Sequence, residues 1–204
     1  MKTGGSTEER IRRIVTGHDE NGKAIIASDG YATAVKTVPL WPGLISTDIW
    51  KTNASPVAIG KDEPDPTHGP RSLHPAPRGT TIRISVVPPE SDWISKLDPD
   101  QAKEVFRGVG NADASTPGHG GRHPLMHRTE TLDYAVVLEG EIAMLLDDSE
   151  VHLKAGDVVI QRGTNHAWSN RSGKLVRMLY ILTDGRFDPE LAASIAARDQ
   201  AHTT

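Results

Sequence analysis

His127, Thr129 and Asp133 stand at the head of an apolar run, "MHRTETLDYAVVLEGE" (126–141), that reads as a core strand. Buried polar groups are costly without partners. Three of them beside a core strand therefore mark either a site or what a site leaves behind. Strand side chains alternate sides, so His127 and Thr129 face the same way, and Asp133, opening the next strand, can turn toward them. In "GDVVIQRGTNHAWSN" (156–170) His166 leads a strand and Trp168 shares its face. If both segments line one barrel, His127, Asp133 and His166 converge inside it. Trp168 would then wall a substrate or pack in the core, and the Tyr180 hydroxyl could serve as acid or base. Arg177 and Arg83 alternate with apolar neighbours. An inward arginine would clamp a carboxylate; an outward one is solvated, which is the favoured setting for both. The remaining histidines, His18, His68, His74, His119, His152 and His202, fall in expected turns, loops or exposed positions.

The elements that must position these groups are mostly strands. "RIRRIVTGHD" and "KAIIASDG" flank Asn21-Gly22, a strong hairpin signal. Residues 43–52 read as a strand with Leu44, Ser46, Asp48 and Trp50 on one face. Residues 53–80 hold six prolines and no helical period. A loop that long is often functional, a lid or an arm laid over a partner subunit, or else a tethered surface loop. Residues 80–89 form a β-branched strand closed by Pro88-Pro89. "DPDQAKEVFRGVG" (98–110) predicts a helix with Asp98 as N-cap, Pro99 at the first helical position and Gly108 or Gly110 as its stop. Short strands are expected at 125–129, 133–139, 141–147, 150–153, 157–161, 165–169 and 174–182, a spacing typical of a sandwich or barrel. Residues 188–202 predict an amphipathic closing helix with Leu191, Ile195 and Ala196 on one side.

The 204 residues suit one domain with extensions. A net charge of -4 without a Lys/Arg cluster argues against nucleic-acid binding. With no cysteine, disulfides, thiolate nucleophiles and Cys-based metal sites are excluded. No apolar run reaches bilayer length and no signal-peptide pattern opens the chain, so a cytoplasmic protein without membrane contact is expected.

The pattern resembles the cupin family, whose motifs take the forms G-x5-H-x-H-x3or4-E-x6-G and G-x5-P-x-G-x2-H-x3-N. Gly121, His127, Asp133 and Gly140 follow the first, and Gly156, Gly163, His166 and Asn170 the second, shortened by one residue. The resemblance spans about residues 121–170. It implies a double-stranded β-helix barrel, often holding Fe, Mn, Zn, Ni or Cu through three histidines and a glutamate. Three positions depart from it: Thr129 replaces the second histidine, Asp133 the glutamate and Gln161 the proline. The last reads as a turn substitution with little bearing on chemistry. Carried over, the ligand positions retain His127, Asp133 and His166, a two-histidine, one-carboxylate set suited to non-haem Fe(II) or to Zn with a water. His123 could swing in as a fourth ligand, and Thr129 could orient a bound water.

The expectation is thus an all-β protein, a cupin-type double-stranded β-helix or jelly-roll barrel. It comprises an N-terminal β extension and Pro-rich loop (1–79), the barrel (80–187) and a C-terminal helix (188–204). The function expected is that of a divalent-metal-dependent enzyme (Fe, Zn, Mn or Ni) acting on a small organic molecule by dioxygenase, decarboxylase, isomerase or lyase chemistry. The alternative is a non-catalytic small-molecule binding or sensing barrel. Asp133, Thr129 and Tyr180 are the catalytic candidates, Trp168, Thr129 and Arg177 the substrate-binding ones, and His127, Asp133, His166 and His123 the metal ligands. Extension strands without a core of their own usually add to a sheet, and a homodimer is expected.

Overall fold

The computed structural model describes residues 10–61, 63–116 and 122–201. Gly121, His119 and His202 lie outside the described residues. Alternation of inward apolar and outward polar side chains builds two antiparallel sheets around a shared interior. One has six strands in the order β3 (Val35–Val38), β4 (Trp41–Lys51), β5 (Thr80–Val87), β11 (Val176–Asp184), β6 (Thr131–Glu139) and β9 (Val158–Arg162). The other runs β10 (Ala167–Ser169), β7 (Glu141–Leu145) and β8 (Glu150–Lys154). Together they form the expected jelly-roll barrel. β1 (Arg12–His18) and β2 (Ala24–Tyr31) make a separate hairpin, turning at Gly22 with a left-handed φ of 78°. Strand β3 had no signal in the sequence.

The interior between the sheets is filled at one end by Val87, Val105, Val137, Met144, Val176 and Met178, leaving the other end for polar groups. Residues 125–129 form no strand. His127 instead exchanges two backbone hydrogen bonds with His166, of 2.8 and 2.9 Å. This short ladder fastens the loop after residue 122 to the start of β10.

Helix α1 (Pro99–Val109) starts and stops on the expected signals. The Asp98 carboxylate accepts from Gln101 N at 2.8 Å, the Gln101 side chain returns to Asp98 N, and Gly110 closes the helix at φ 102°. Its buried face carries Ala102, Val105 and Phe106 into the barrel mouth. Helix α2 (Pro189–Ala201) departs from expectation: none of its described side chains is buried, Leu191 included. Ion pairs of Arg128 with Asp199 and of Arg198 with Asp147 hold it instead.

The Pro-rich loop packs on its own barrel. Asp65 pairs with Arg13 of β1, and the Ser72 carbonyl accepts from Arg83 of β5 at 2.9 Å. Gly110 lets this loop lie close to α1, for a Cβ there would fall 2.6 Å from the Arg71 carbonyl oxygen. Gly110→Ala must therefore strain a left-handed residue and displace the loop. A loss of about 2 kcal/mol in urea unfolding is expected; an unchanged midpoint would show that the loop is not seated there.

Candidate active site in the barrel cavity

Strand parity decides what the interior holds. On β6, Asp133 points inward, and in register beside it on β9 is Gln161. On β11, Tyr180 points inward beside its register partner Arg83 of β5. These four residues, with His127, Thr129, His166 and Trp168, line one cavity of about 120 Å³. Its wall includes an arc of rings. Phe106 lies 4.8 Å from His127, His127 4.1 Å from His166, His166 5.8 Å from Trp168 and Trp168 5.6 Å from Tyr180, centroid to centroid. Contacts at such spacing favour tilted and edge-on packing and leave flat apolar faces for a bound ring.

Asp133 is the strained group of this wall. It is buried, its Oδ1 has no hydrogen-bond partner among the described residues, and burial raises its pKa from 3.8 to about 6. The Thr131 hydroxyl and the charge of Arg83 oppose that rise without cancelling it. Thr129 Oγ1 lies 2.7 Å from Thr131 Oγ1. With the Thr131 proton directed at the carboxylate, Thr129 donates to Thr131 and keeps only a lone pair for the cavity. Burial, and next the nearby Asp133, hold the Tyr180 hydroxyl well above its ordinary pKa, so it stays protonated.

The two imidazoles are neutral at pH 7. Burial takes His166 down to about 4, and burial together with His166 takes His127 well below 6.5. Their tautomers differ. His127 Nδ1 sits 3.1 Å from the Leu125 carbonyl, which can only accept, so Nδ1 carries the proton and Nε2 a lone pair. Beside His166 Nδ1 lie the Thr164 carbonyl at 3.0 Å and Gln161 Nε2 at 2.8 Å. The Gln161 amide is fixed by Gly163 N–H donating to its Oε1 at 2.8 Å and by its own Nε2 donating to Thr164 O at 3.0 Å. The second amide hydrogen has His166 Nδ1 as its acceptor. A ring N–H there would clash with that amide hydrogen, so the Gln161 contact outweighs the Thr164 carbonyl and the neutral, metal-free ring carries its proton on Nε2. Gln161 is thus more than a turn substitution.

The metal reading does not fit these residues. Among the described residues no three His, Asp or Glu side chains lie close enough together to hold an ion. His127 and His166 are neighbours, but Asp133 does not join them as a third ligand. His123 is turned away: its Nε2 meets Glu90 Oε1 at 3.1 Å and its Nδ1 accepts from Leu125 N at 3.1 Å. Arg177 is also displaced from its expected role. It stands three residues from inward Tyr180, on the outer side of β11, 3.7 Å from Glu139. Arg83 is inward, against the favoured setting, and Arg71 of the Pro-rich loop joins it on the cavity wall. Phe106 and Arg71 carried no site signal. Arg83 and Tyr180 could have been placed by counting from Asp48 and Asp133 in register.

Residues 115–182 match the family model described as the cupin domain. Phomopsin biosynthesis cluster protein C' of Diaporthe leptostromiformis is 62% identical over 68 residues, 32% of this chain and 36% of that protein. The match thus spans little more than a third of that relative. The cupin-domain-containing oxidoreductase fogC of Aspergillus ruber is 28% identical over 179 residues, 86% of this chain and 73% of that protein. A cupin 2 conserved barrel domain protein from Salinispora arenicola is 15% identical with a TM-score of 0.37, covering 79% of this chain and 90% of that one. Residues 115–182 are thus a cupin domain.

Proposed function

We propose that this cupin is an enzyme that moves protons on a small, ring-bearing molecule held in the barrel cavity. The observation that carries the reading is Asp133, a buried carboxyl with one oxygen unpartnered among the described residues, on the wall of a cavity whose exposed surface is mostly apolar. A carboxylate that titrates near 6 is suited to take a proton and to give it back. At a C–H next to a carbonyl, Asp133 would take the proton, the C–H electron pair would form the enol double bond, and the carbonyl oxygen would gain negative charge. His166 Nε2–H is the donor that would stabilise that oxygen. Reprotonation by the now neutral Asp133 completes an isomerisation without a further reactant. Tyr180 would help to orient the substrate, with Trp168 and Phe106 flanking its ring. The name oxidoreductase, borne by fogC and three further relatives, is compatible with this reading in that removal of hydrogen from carbon can begin with such a deprotonation.

The test is exchange of the methylene protons of phenylacetone in D2O, followed by NMR with the protein before and after EDTA treatment. Catalysed exchange is expected, equal in both samples, with a rate that climbs as pH rises through about 6, because only ionised Asp133 accepts the proton. Exchange lost on chelation and restored by a divalent ion would return the site to metal chemistry. No exchange in either sample would leave a binding barrel.

A further inference from the structure

Beyond the titrating groups, the cavity has a cationic end that the cupin match does not include. Arg83 is anchored through Nε to Asp48 Oδ1 at 2.7 Å and through Nη2 to the Ser72 carbonyl at 2.9 Å. Arg71 reaches the Ser46 carbonyl at 3.1 Å and the Ser46 hydroxyl at 2.5 Å, and stands 3.8 Å from the same Asp48 oxygen. The other Asp48 oxygen is taken by Lys51 at 2.9 Å. Three cations thus crowd the Asp48 carboxylate, with Asp133, which feels the Arg83 charge, the other acid on the same cavity wall, and the Arg71 and Arg83 side chains are only 11% and 4% exposed. The guanidinium groups also repel one another: burial and then Arg83 lower the Arg71 pKa to about 10. Arg71 Nε is buried with no partner among the described residues. Excess positive charge kept out of water with an unused donor is expensive unless an anion completes it.

We infer that Arg71 and Arg83 form a subsite for an anionic group of the ligand, best matched by a carboxylate, whose ring lies against the Phe106–Trp168 arc. This deepens the proposed function and rests on the reading that the cavity binds a small molecule. Two planar guanidinium forks suit a carboxylate better than point charges do. Both arginines precede residue 115, outside the family match. Arg71 comes from the Pro-rich loop, which Gly110 allows to close down on the barrel. The loop thereby delivers a specificity residue.

The experiment compares benzoate with its neutral counterpart benzamide by calorimetric titration and NMR line broadening. Benzoate is expected to bind the wild-type chain at least tenfold more tightly than benzamide. Arg71→Gln should weaken benzoate by about 10- to 100-fold and benzamide far less, and retained benzamide binding shows that the cavity has kept its shape. Arg71→Lys, which keeps the charge without the fork, should fall between the two. Equal wild-type affinities for benzoate and benzamide would overturn the anion subsite while leaving the cavity reading in place. So would an unaltered benzoate affinity in Arg71→Gln. Binding of neither ring at millimolar concentration would overturn both.

Discussion

Asp133→Asn is expected to make the protein more stable at about pH 7.5, make it no more stable at about pH 4, and reduce proton-exchange activity at least 100-fold. Holding a carboxyl at about 6 rather than 3.8 means that its ionised form costs about 3 kcal/mol in the folded state. The sign follows from proton binding. Between about pH 4 and 6 the folded chain holds a proton that the unfolded chain has released, so folding weakens as pH rises through that window and stays weakened above it. Asparagine removes the charge and keeps an oxygen for the Thr131 hydroxyl. Its amide nitrogen would occupy the place of the unpartnered oxygen, and an unmet donor returns about 1–2 kcal/mol. The net gain near pH 7.5 is therefore about 1–2 kcal/mol, vanishing or reversing near pH 4. Urea unfolding at the two pH values reads it directly. Equal stability of variant and wild type at both would mean that the carboxyl is not desolvated. Retained exchange activity would mean that another group takes the proton. Loss of a general base commonly costs 10²- to 10⁴-fold. A residue that destabilises the fold and is required for turnover is what the proposed function demands of Asp133.

The sequence foretold the parts of this molecule that follow from local rules. Helix α1 follows from Asp98, Pro99 and Gly110, each acting within one turn of its own position. The β1–β2 hairpin follows from Asn21-Gly22, because a left-handed turn residue fixes the register of its flanking strands. Helix α2 differs from its expected packing, since apolar residues at helical spacing say which face could be buried but not whether anything covers it. Inward-facing His127, Asp133, His166 and Trp168 were legible from alternation and from the cupin spacing. Arg177 and Tyr180 are three apart on one strand and so face opposite ways, which excludes one of them from the cavity.

What could not be read was the long-range part. Arg71 enters the cavity from a loop with no periodic pattern, and Phe106 enters from a helix whose docking position depends on Gly110 meeting the loop backbone. The family pattern also misleads at the level of atoms. It retains two histidines and an acid, yet among the described residues no three such side chains meet around one point, and the ring nitrogen each histidine offers is tuned by neighbours outside the ligand positions.

Gln161 is that neighbour, and replacing it should reverse the polarity of His166. In Gln161→Glu the side chain keeps its length, and one carboxylate oxygen can still accept from Gly163 N–H. The other meets His166 Nδ1 as an acceptor in place of a donor. The imidazole must then place a proton on Nδ1, and its Nε2 lone pair becomes available toward His127, whose own Nε2 lone pair already faces outward from the Leu125 contact. A carboxylate behind a histidine is the arrangement that strengthens metal ligation, worth about 10- to 100-fold in affinity. The variant is therefore expected to bind Zn²⁺ or Ni²⁺ at least tenfold more tightly than wild type by titration. The ¹⁵N resonances of His166 should report a protonated Nε2 and bare Nδ1 in the wild type, and a protonated Nδ1 in the variant. The exchanged charge is buried, so the metal-free variant should also unfold at lower urea, and added Zn²⁺ should recover part of that loss because it binds only the folded chain. A wild-type protein that already shows a bare His166 Nε2, or that takes up metal as tightly as Gln161→Glu, would overturn the tautomer assignment. With it would fall the role of His166 Nε2–H as donor to the developing oxyanion.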